Sequence, residues 1–577
     1  MAQIIFSLHI GVQFKDITPN FFCANEKEIK KMARFAIITL YDEFAHGTRI
    51  LIANLKKHGH FACMIAFKTY SAEPLESARN VYKHLYEPMH IQVQPNGDYV
   101  NAYSYPPSPT EDRILLDLLK RLKIDLVGIS LTCVQQAAAR RLTSLIKNEL
   151  QLPVMWGGPQ PTTDPDTCIK SADYVCRGEA EDVLLDVGKA IDAGESFSHV
   201  SNIWTRKPNG EIIKNIERPP VDNLDTLPYP DYSRESIFFI DEDQLRCGIP
   251  FPKSDLNTNY LTQTARGCPY SCTFCYQSYV KTLYPGRKYV RERSIDHILG
   301  ELKEAKARMG HFYLEILDNI FTLKEERVAE FCKRYHAEIN EPFWCYTHPR
   351  CCRDNIVRHL AACPNFEYII MGVESVSENI GIDTFHRKQT PQIVLDAAKV
   401  INKYGINVNY DFITNVPGET EGDCRQNLDL IRQIPKPFRI RLSKLSLFPN
   451  YEVQNETAGK NRLVTEKRYR VWNALYFLAQ DVNLSDEEVD AIVSSPFFEE
   501  NPEFLEKMNV ILTRQFKENL KLNVQNKIKT VEIESRKKHE ECLDGDMARL
   551  LGRKGMKQFL WLHDSAARAK RRLKKIL

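Results

Sequence analysis

"TARGCPYSCTFCY", residues 264–276, sets Cys268, Cys272 and Cys275 within eight positions of a 577-residue chain that has sixteen cysteines in all. The spacing C-x3-C-x2-C comes directly after a predicted strand, and no second C-x2-C-type pair is present elsewhere. Three thiolates on one loop can hold three irons of a [4Fe-4S] cube and leave the fourth iron open. Zinc with a distant fourth ligand is one alternative, although structural zinc sites usually show two separated cysteine pairs. An accidental grouping of inert thiols is the other. What surrounds the loop decides the fold.

Downstream, "YLTQTARG" (260–267), "HFYLEIL" (311–317), "FWCYTH" (343–348), "EYIIMGVE" (367–374), "NVNYDFIT" (407–414) and "FRIRLSKLSLF" (438–448) read as strands. Helices start between them near Ser294, Leu323, Asp354, Thr390 and Glu419. Six such units are too few for an eight-fold barrel and predict an open, partial (β/α)6 barrel over residues 257–455. Its active groups are expected on loops at the strand C-termini.

Upstream, "RFAIITL" (34–40), "FACMIAF" (61–67), "LVGIS" (126–130), "PVMWGG" (153–158) and "ADYVCRG" (172–178) alternate with stretches of helical spacing. This predicts a doubly wound, Rossmann-like α/β domain over residues 34–204, with ligands at the carboxyl ends of its parallel strands. Residues 1–33 read as an N-terminal extension, the proline-rich and acidic stretch 205–256 as a linker, and residues 456–577 as a helical region without an assignable motif.

The net charge of +3 sets up no large electropositive field, so nucleic acid is not expected as the main partner. The basic end "AARAKRRLKKIL" (566–577) reads as a solvated helix face. No stretch approaches the roughly 20 apolar residues of a membrane helix, and "MAQIIFSLHIGVQFKD" (1–16) lacks a basic start and cleavage site. A cytoplasmic protein with reduced thiols is expected, in which close-set cysteines are ligands or catalytic groups before they are disulfides.

"CPYSCTFC" (268–275) resembles the signature of the radical S-adenosylmethionine superfamily. "RKYVRERSIDHILGEL" (287–302), "LDNIFT" (317–322), "GVESVSE" (372–378) and "FITNVPGETEGD" (412–423) extend the resemblance, in order, to the subgroup that carries a cobalamin domain. It implies that Cys268, Cys272 and Cys275 ligate the cluster, with Phe274 beside the last ligand. Glu374 and Ser375 would lie by S-adenosylmethionine, together with Asn415, which stands where the family usually has glycine. Asp318, Tyr346, His348 and Arg350 would face the pocket as candidate catalytic groups. For each of these the plainer alternative is a polar residue that satisfies a strand-end backbone group. Cys351 and Cys352 could donate hydrogen or act as extra ligands; buried inert thiols are the commoner case.

The first domain resembles the cobalamin-binding domain of the same subgroup in "YDEFAHGTRILIANLKKHGH" (41–60), "VGISLT" (127–132), "VMWGGPQPTTDPD" (154–166) and "ADYVCRGEAED" (172–182). The resemblance puts Tyr41, Glu43, His46 and Gly47 of the first loop at the cofactor, with Ser130, Leu131 and Thr132 of the third strand end. Gly157, Gly158, Pro159 and Gln160 of the turn and Glu179 after the closing strand complete the set. The glycines let backbone approach a large flat ligand, and the hydroxyls can donate hydrogen bonds to a nucleotide tail. The chain lacks D-x-H-x-x-G, the motif that places a histidine under cobalt, and His46 is the one loop histidine near that position.

Taken as a whole, the resemblance implies an enzyme with a [4Fe-4S] cluster, S-adenosylmethionine and cobalamin that methylates an unactivated carbon of a small-molecule or peptide substrate. A low-potential donor such as flavodoxin or ferredoxin would supply its electrons. Oxidative cyclisation or ring rearrangement with the same cofactors is the alternative, and a non-catalytic cluster or cobalamin carrier is a third reading.

Overall fold

The computed structural model describes residues 32–70, 91–93, 99–101 and 103–506. The first sheet begins with β1 (Arg34–Leu40) and β2 (Phe61–Phe67). A separate hairpin follows, β3 (Ile91–Val93) and β4 (Tyr99–Asn101). The sheet then takes β5 (Leu126–Ser130), β6 (Val154–Gly157), β7 (Tyr174–Cys176), β8 (Ile203–Arg206), β9 (Ile212–Lys214), β10 (Ile237–Asp241) and β11 (Gln244–Cys247). The order is β11-β10-β2-β1-β5-β6-β7-β8-β9, parallel from β10 to β7 and antiparallel at both margins. "RFAIITL" is apolar almost throughout because both faces of β1 are covered: Ala36, Ile38 and Leu40 enter one core, Phe35 and Ile37 the other.

The expectation of a linker over 205–256 is corrected here. That stretch supplies β9, β10 and β11, which extend the first sheet at its two ends. "IFFID" of β10 is buried along its whole length and pairs with β2, whose edge would otherwise be open. The surrounding prolines and acids conceal so short a run.

The second sheet holds β12 (Asn259–Thr262), then, past the small antiparallel pair β13 (Ala265–Arg266) and β14 (Arg291–Glu292), β15 (Tyr313–Ile316), β16 (Phe343–Thr347), β17 (Phe366–Glu374), β18 (Asn407–Thr414) and β19 (Arg439–Lys444). These strands, β13 and β14 apart, form a six-stranded parallel sheet in the order β12-β15-β16-β17-β18-β19. The expected strand 260–267 breaks after Thr262. Asp318 accepts hydrogen bonds from the amides of Thr264 (2.6 Å) and Ala265 (3.0 Å) and from the Thr264 hydroxyl, and so turns the chain out of the sheet. Helices start where Ser294, Thr390 and Thr420 cap a backbone amide three residues on.

One face of this sheet is packed by helices: Phe343 meets the rings of Phe331 and Tyr335, and Phe412 meets Tyr476. The other face carries Glu315, Trp344, Tyr346, Tyr368, Asn409, Asp411 and Arg441, most of them half-buried. Helices Glu466–Asp481, Asp486–Val493 and Pro496–Glu500 follow the sheet. The rest of the expected helical region with its basic end, and the N-terminal extension as far as residue 31, lie outside the described residues. Among the described residues no helix is long and apolar enough to cross a membrane.

Two arginines of the small β13–β14 pair tie the sheets together. Arg291, 3% exposed, donates to Glu179 through both terminal nitrogens (3.0 and 2.7 Å), and Arg266 lies 2.7 Å from Glu181. Removing one partner leaves a buried charge unpaired, so Glu179→Ala and Arg291→Ala are each expected to cost about 3 kcal/mol in urea unfolding, with the double variant costing less than their sum.

Glu419, in the loop after β18, is fully buried; one oxygen accepts from Tyr469 (2.8 Å) and the Val416 amide (3.1 Å), and the other has no partner. Burial pushes this carboxyl up from 4.5 to about 7. The folded chain therefore binds its proton more tightly than the unfolded chain does, and this contribution to stability is lost as pH rises from 4.5 through about 7. Comparing thermal unfolding at pH 5 and pH 8, Glu419→Gln should relieve a loss of up to roughly 3 kcal/mol, the energy equivalent of a shift of that size.

Candidate active site

The cluster loop spans the turn between β13 and helix Tyr276–Thr282, and Cys275 stands at the helix start. The Cys275 amide donates to the Cys272 carbonyl (3.0 Å), folding the last two cysteines into a tight turn. Thr273, between them, donates its amide to Phe385 (3.2 Å) and its hydroxyl to Thr384 (2.7 Å), and accepts from the Val453 amide (3.1 Å). The ring of Phe274 packs edge-on against Phe385 at 4.8 Å, in a cluster with Ile380, Val416, Leu445 and Val453. The loop is thus anchored on the far side of the second sheet's rim.

Burial holds the three thiols above their ordinary range, Cys275 at about 12, and Arg387 opposes the rise at Cys272. Among the described residues no three His, Cys, Asp or Glu side chains are gathered tightly enough for one metal ion. Thiols spread along a loop suit a cube, in which each takes its own iron.

Around the loop stand the ends of the second sheet's strands. Glu374 ends β17 with φ 66, where the pairing with β18 shifts register after Gly372. So bulky a residue in left-handed backbone is uncommon and marks a constrained position. His348 is buried, stacks on Tyr270 at 4.1 Å and accepts from the Arg350 amide at 3.2 Å. Desolvation, helped by Arg387 and Arg350, pushes it down to about 2, so its ring is neutral. Tyr346 lies on the inner face with its ring 5.0 Å from Trp344.

Three expected pocket residues also brace the backbone, and one of them, Asp318, lines a pocket with Gly267 and Asn319. Asp318 holds the Thr264–Ala265 turn, Arg350 is exposed and donates to the Lys388 carbonyl, and Ser375 is buried against Asn427 (3.3 Å). Asn415 adopts φ 62, which explains why glycine suits this position; asparagine tolerates it too. Its side chain turns to Glu466 at 3.3 Å. Cys351 and Cys352 are both buried.

Sequence reasoning missed Arg387, Gln389 and Asn427, whose Nε, Oε1 and Nδ2 are buried without partners, as is Nε2 of His348. Unmet polar groups gathered near one rim are what a polar ligand would satisfy. Asn427 left a trace: it occupies the apolar stripe of Cys424, Leu428 and Ile431. Arg387 and Gln389, in an irregular loop, left none.

On the first sheet, Ser130, Leu131, Thr132, Gly157, Gly158 and Pro159 come together at the ends of β5 and β6. The Leu131 amide donates to Gly157 (3.0 Å), and a Cβ on Gly158, at φ 100, would lie 3.0 Å from the Leu131 carbonyl oxygen. The edge leads directly to the cluster loop. Arg177 donates to Tyr279 (2.8 Å) and Asn450 to the Thr163 carbonyl (2.9 Å), while the Tyr99 hydroxyl donates to the Leu447 carbonyl.

Glu179, Gln160 and Tyr41 of the expected cobalamin set have protein partners of their own, and the Gln160 backbone amide donates to the Leu131 carbonyl at the same edge (3.2 Å). Glu179 is taken by Arg291 and the Val221 amide (2.9 Å). Gln160 is buried against Gln136 (3.1 Å), and Tyr41 donates to the Tyr105 carbonyl (2.8 Å) beneath Tyr70. Glu43, its carboxyl raised by burial, lies by Ser254 and Asp255. Gly47 is exposed, with open space where a Cβ would be. His46 lines a partly open pocket with Gln263, Arg266, Arg293, His297 and Glu301. Desolvation pushes it down to about 4.

Comparison with known proteins agrees with the two sheets. The B12 binding domain matches residues 100–187 and the Radical SAM superfamily residues 262–431. An uncharacterized methyltransferase of Pyrococcus horikoshii is 24% identical over 353 residues, covering 60% of this chain and 72% of that protein. An anaerobic magnesium-protoporphyrin IX monomethyl ester cyclase of Rubrivivax gelatinosus is 24% identical over 332 residues, 56% of each chain, so this chain spans little more than half of that relative. Among solved structures, the radical S-adenosylmethionine methyltransferase TsrM of Kitasatospora setae, with cobalamin and [4Fe-4S] cluster bound, superposes with TM-score 0.53 at 16% identity. The match covers 73% of this chain and 77% of that one. The cobalamin-dependent S-adenosylmethionine radical enzyme OxsB, with aqua-cobalamin and S-adenosylmethionine, superposes with TM-score 0.58 at 13% identity, over 90% and 86%. With a B12-binding domain ahead of a radical S-adenosylmethionine domain, the chain belongs to the cobalamin-dependent radical S-adenosylmethionine enzymes.

Proposed function

We propose that Cys268, Cys272 and Cys275 hold a [4Fe-4S] cluster, that S-adenosylmethionine lies beside Glu374, and that cobalamin rests on the Ser130–Thr132 and Gly157–Pro159 turns. The reaction is methylation of an unactivated carbon in a small-molecule or peptide substrate. One observation carries this reading: the helix that starts at the third cysteine packs, through Tyr279 and Arg177, on the strand-end edge where the first sheet would meet its ligand. When bound, the three groups supply one-electron cleavage of S-adenosylmethionine and a cobalt-borne methyl group.

The chain's own residues position and shield. Glu374 can accept hydrogen bonds from hydroxyl or ammonium groups. Phe274, Phe385 and the stacked pair Tyr270 and His348 keep water from the cysteine loop. Neutral His348 can serve as an acceptor, and Tyr346 meets substrate from the inner face. Flavodoxin or ferredoxin would deliver electrons, and the cytoplasm suits a chain whose described cysteines are all free thiols. Cyclisation or rearrangement is the second reading, favoured by the similarity to the cyclase of Rubrivivax gelatinosus.

Anaerobic reconstitution with hydroxocobalamin, S-adenosylmethionine and a low-potential reductant should yield both 5'-deoxyadenosine and S-adenosylhomocysteine by mass spectrometry. Cys268→Ala, Cys272→Ala and Cys275→Ala should each fall to background. Deoxyadenosine without S-adenosylhomocysteine would favour the second reading.

Because Asn415 fills a left-handed position and turns away to Glu466, Asn415→Gly should leave turnover and the KM for S-adenosylmethionine within about twofold, the range of a change of a few tenths of a kcal/mol. Asn415→Val, which forces a β-branched residue to positive φ, should cost about 1–3 kcal/mol of stability in the same unfolding assay.

A further inference from the structure

We propose that Arg387 sets the reduction potential of the cluster by acting on Cys272; the proposal rests on the assignment of the three cysteines as cluster ligands. The guanidinium is 8% exposed. Its Nη1 lies 3.5 Å from the Cys272 sulfur, its Nη2 donates to the Gly372 carbonyl, and its Nε is buried with no partner. The backbone is arranged to hold it there. The Arg387 amide donates to the Gly381 carbonyl at 2.9 Å, and the flanking residues His386 and Lys388 both adopt left-handed φ of 52 and 48. β17 is bare where the side chain passes: a Cβ on Gly372 would stand 3.2 Å from Nη2 and 2.6 Å from a Glu374 oxygen.

Burying a guanidinium is costly unless negative charge stands beside it. The Gly372 carbonyl and the Glu374 carboxylate, whose oxygen approaches the same Gly372 site as Nη2, supply part of that compensation. A thiolate that carries cluster charge is strong compensation, and stronger once the cluster has accepted an electron. Hydrogen bonds to ligand sulfurs and nearby charge are levers that raise the potential of such clusters. Arg387 thus makes one-electron reduction by the external donor easier, and it is a positioning residue that acts through Cys272.

The test uses the full chain reconstituted anaerobically without S-adenosylmethionine, as wild type, Arg387→Gln and Arg387→Lys. Iron and sulfide are quantified, and the cluster is titrated with dithionite under EPR detection. The expected result is a full cluster in all three, with the midpoint potential shifted to lower values in Arg387→Gln and by a smaller step in Arg387→Lys, which keeps a charge but not the two-pronged reach. Equal potentials at full occupancy overturn the proposal, as does a weakened affinity for S-adenosylmethionine with the potential unmoved. Where Arg387→Gln assembles its cluster incompletely, the lysine variant decides, and an unchanged potential there overturns the proposal. A wild-type chain that takes up no four-iron cluster overturns the underlying assignment instead.

Discussion

The ion pairs of Arg291 with Glu179 and of Arg266 with Glu181 hold the two sheets in one geometry. Arg266 precedes the first cysteine by two residues, and Arg291 lies opposite it in the β13–β14 pair, so the clamp grips the base of the cysteine loop itself. Its carboxylates come from the residues that follow β7, at the C-terminal edge of the first sheet's parallel strands. Any displacement between the two edges must first strip a nearly buried guanidinium of its partners, which costs far more than an exposed pair would.

The clamp fixes one side of the loop; hydrogen bonds fix the others. Asp318 holds the turn before it, and Thr273 is bonded on three counts to Thr384, Phe385 and Val453. The rim of the second sheet takes up the resulting constraint as backbone strain. Glu374, His386, Lys388 and Asn415 all have positive φ without being glycine, and all lie at the end of β17 or in the loops after β17 and β18. Conformations of this kind persist only where surrounding contacts overdetermine them.

The alternation of strands and helices was legible along the whole sequence because parallel strands buried on both faces read as continuous apolar runs, and "RFAIITL" and "FACMIAF" coincide with β1 and β2 residue for residue. Edge strands were not legible: "IFFID" is short and sits between proline-rich stretches, and only its pairing with β2 gives it meaning. The cysteines could be read because their spacing is local, three thiols within eight positions of one loop. Glu179 could not, since its partner Arg291 lies 112 residues away. The surroundings of His46 were not legible for the same reason: Arg293 and Glu301, which line its pocket, come from the other half of the described chain.

The inner face of the second sheet explains why it stops at six strands. A closed eight-stranded barrel fills its interior with layers of branched apolar side chains. Here Asp411 and Arg441 are paired across β18 and β19 at 3.0 Å, and Glu315 accepts from Asn259 at 2.8 Å, all on the side away from the helices. Closed into a dry core, such groups would pay the full desolvation penalty with too few partners to offset it. Left open, they keep access to solvent or a ligand, and the outward face, from Leu314 through Phe343 and Met371 to Leu442, carries most of the hydrophobic stabilisation. The fold therefore trades the apolar barrel core for a polar interior, and the cysteine loop, anchored at its rim, opens onto that interior from the same strand ends.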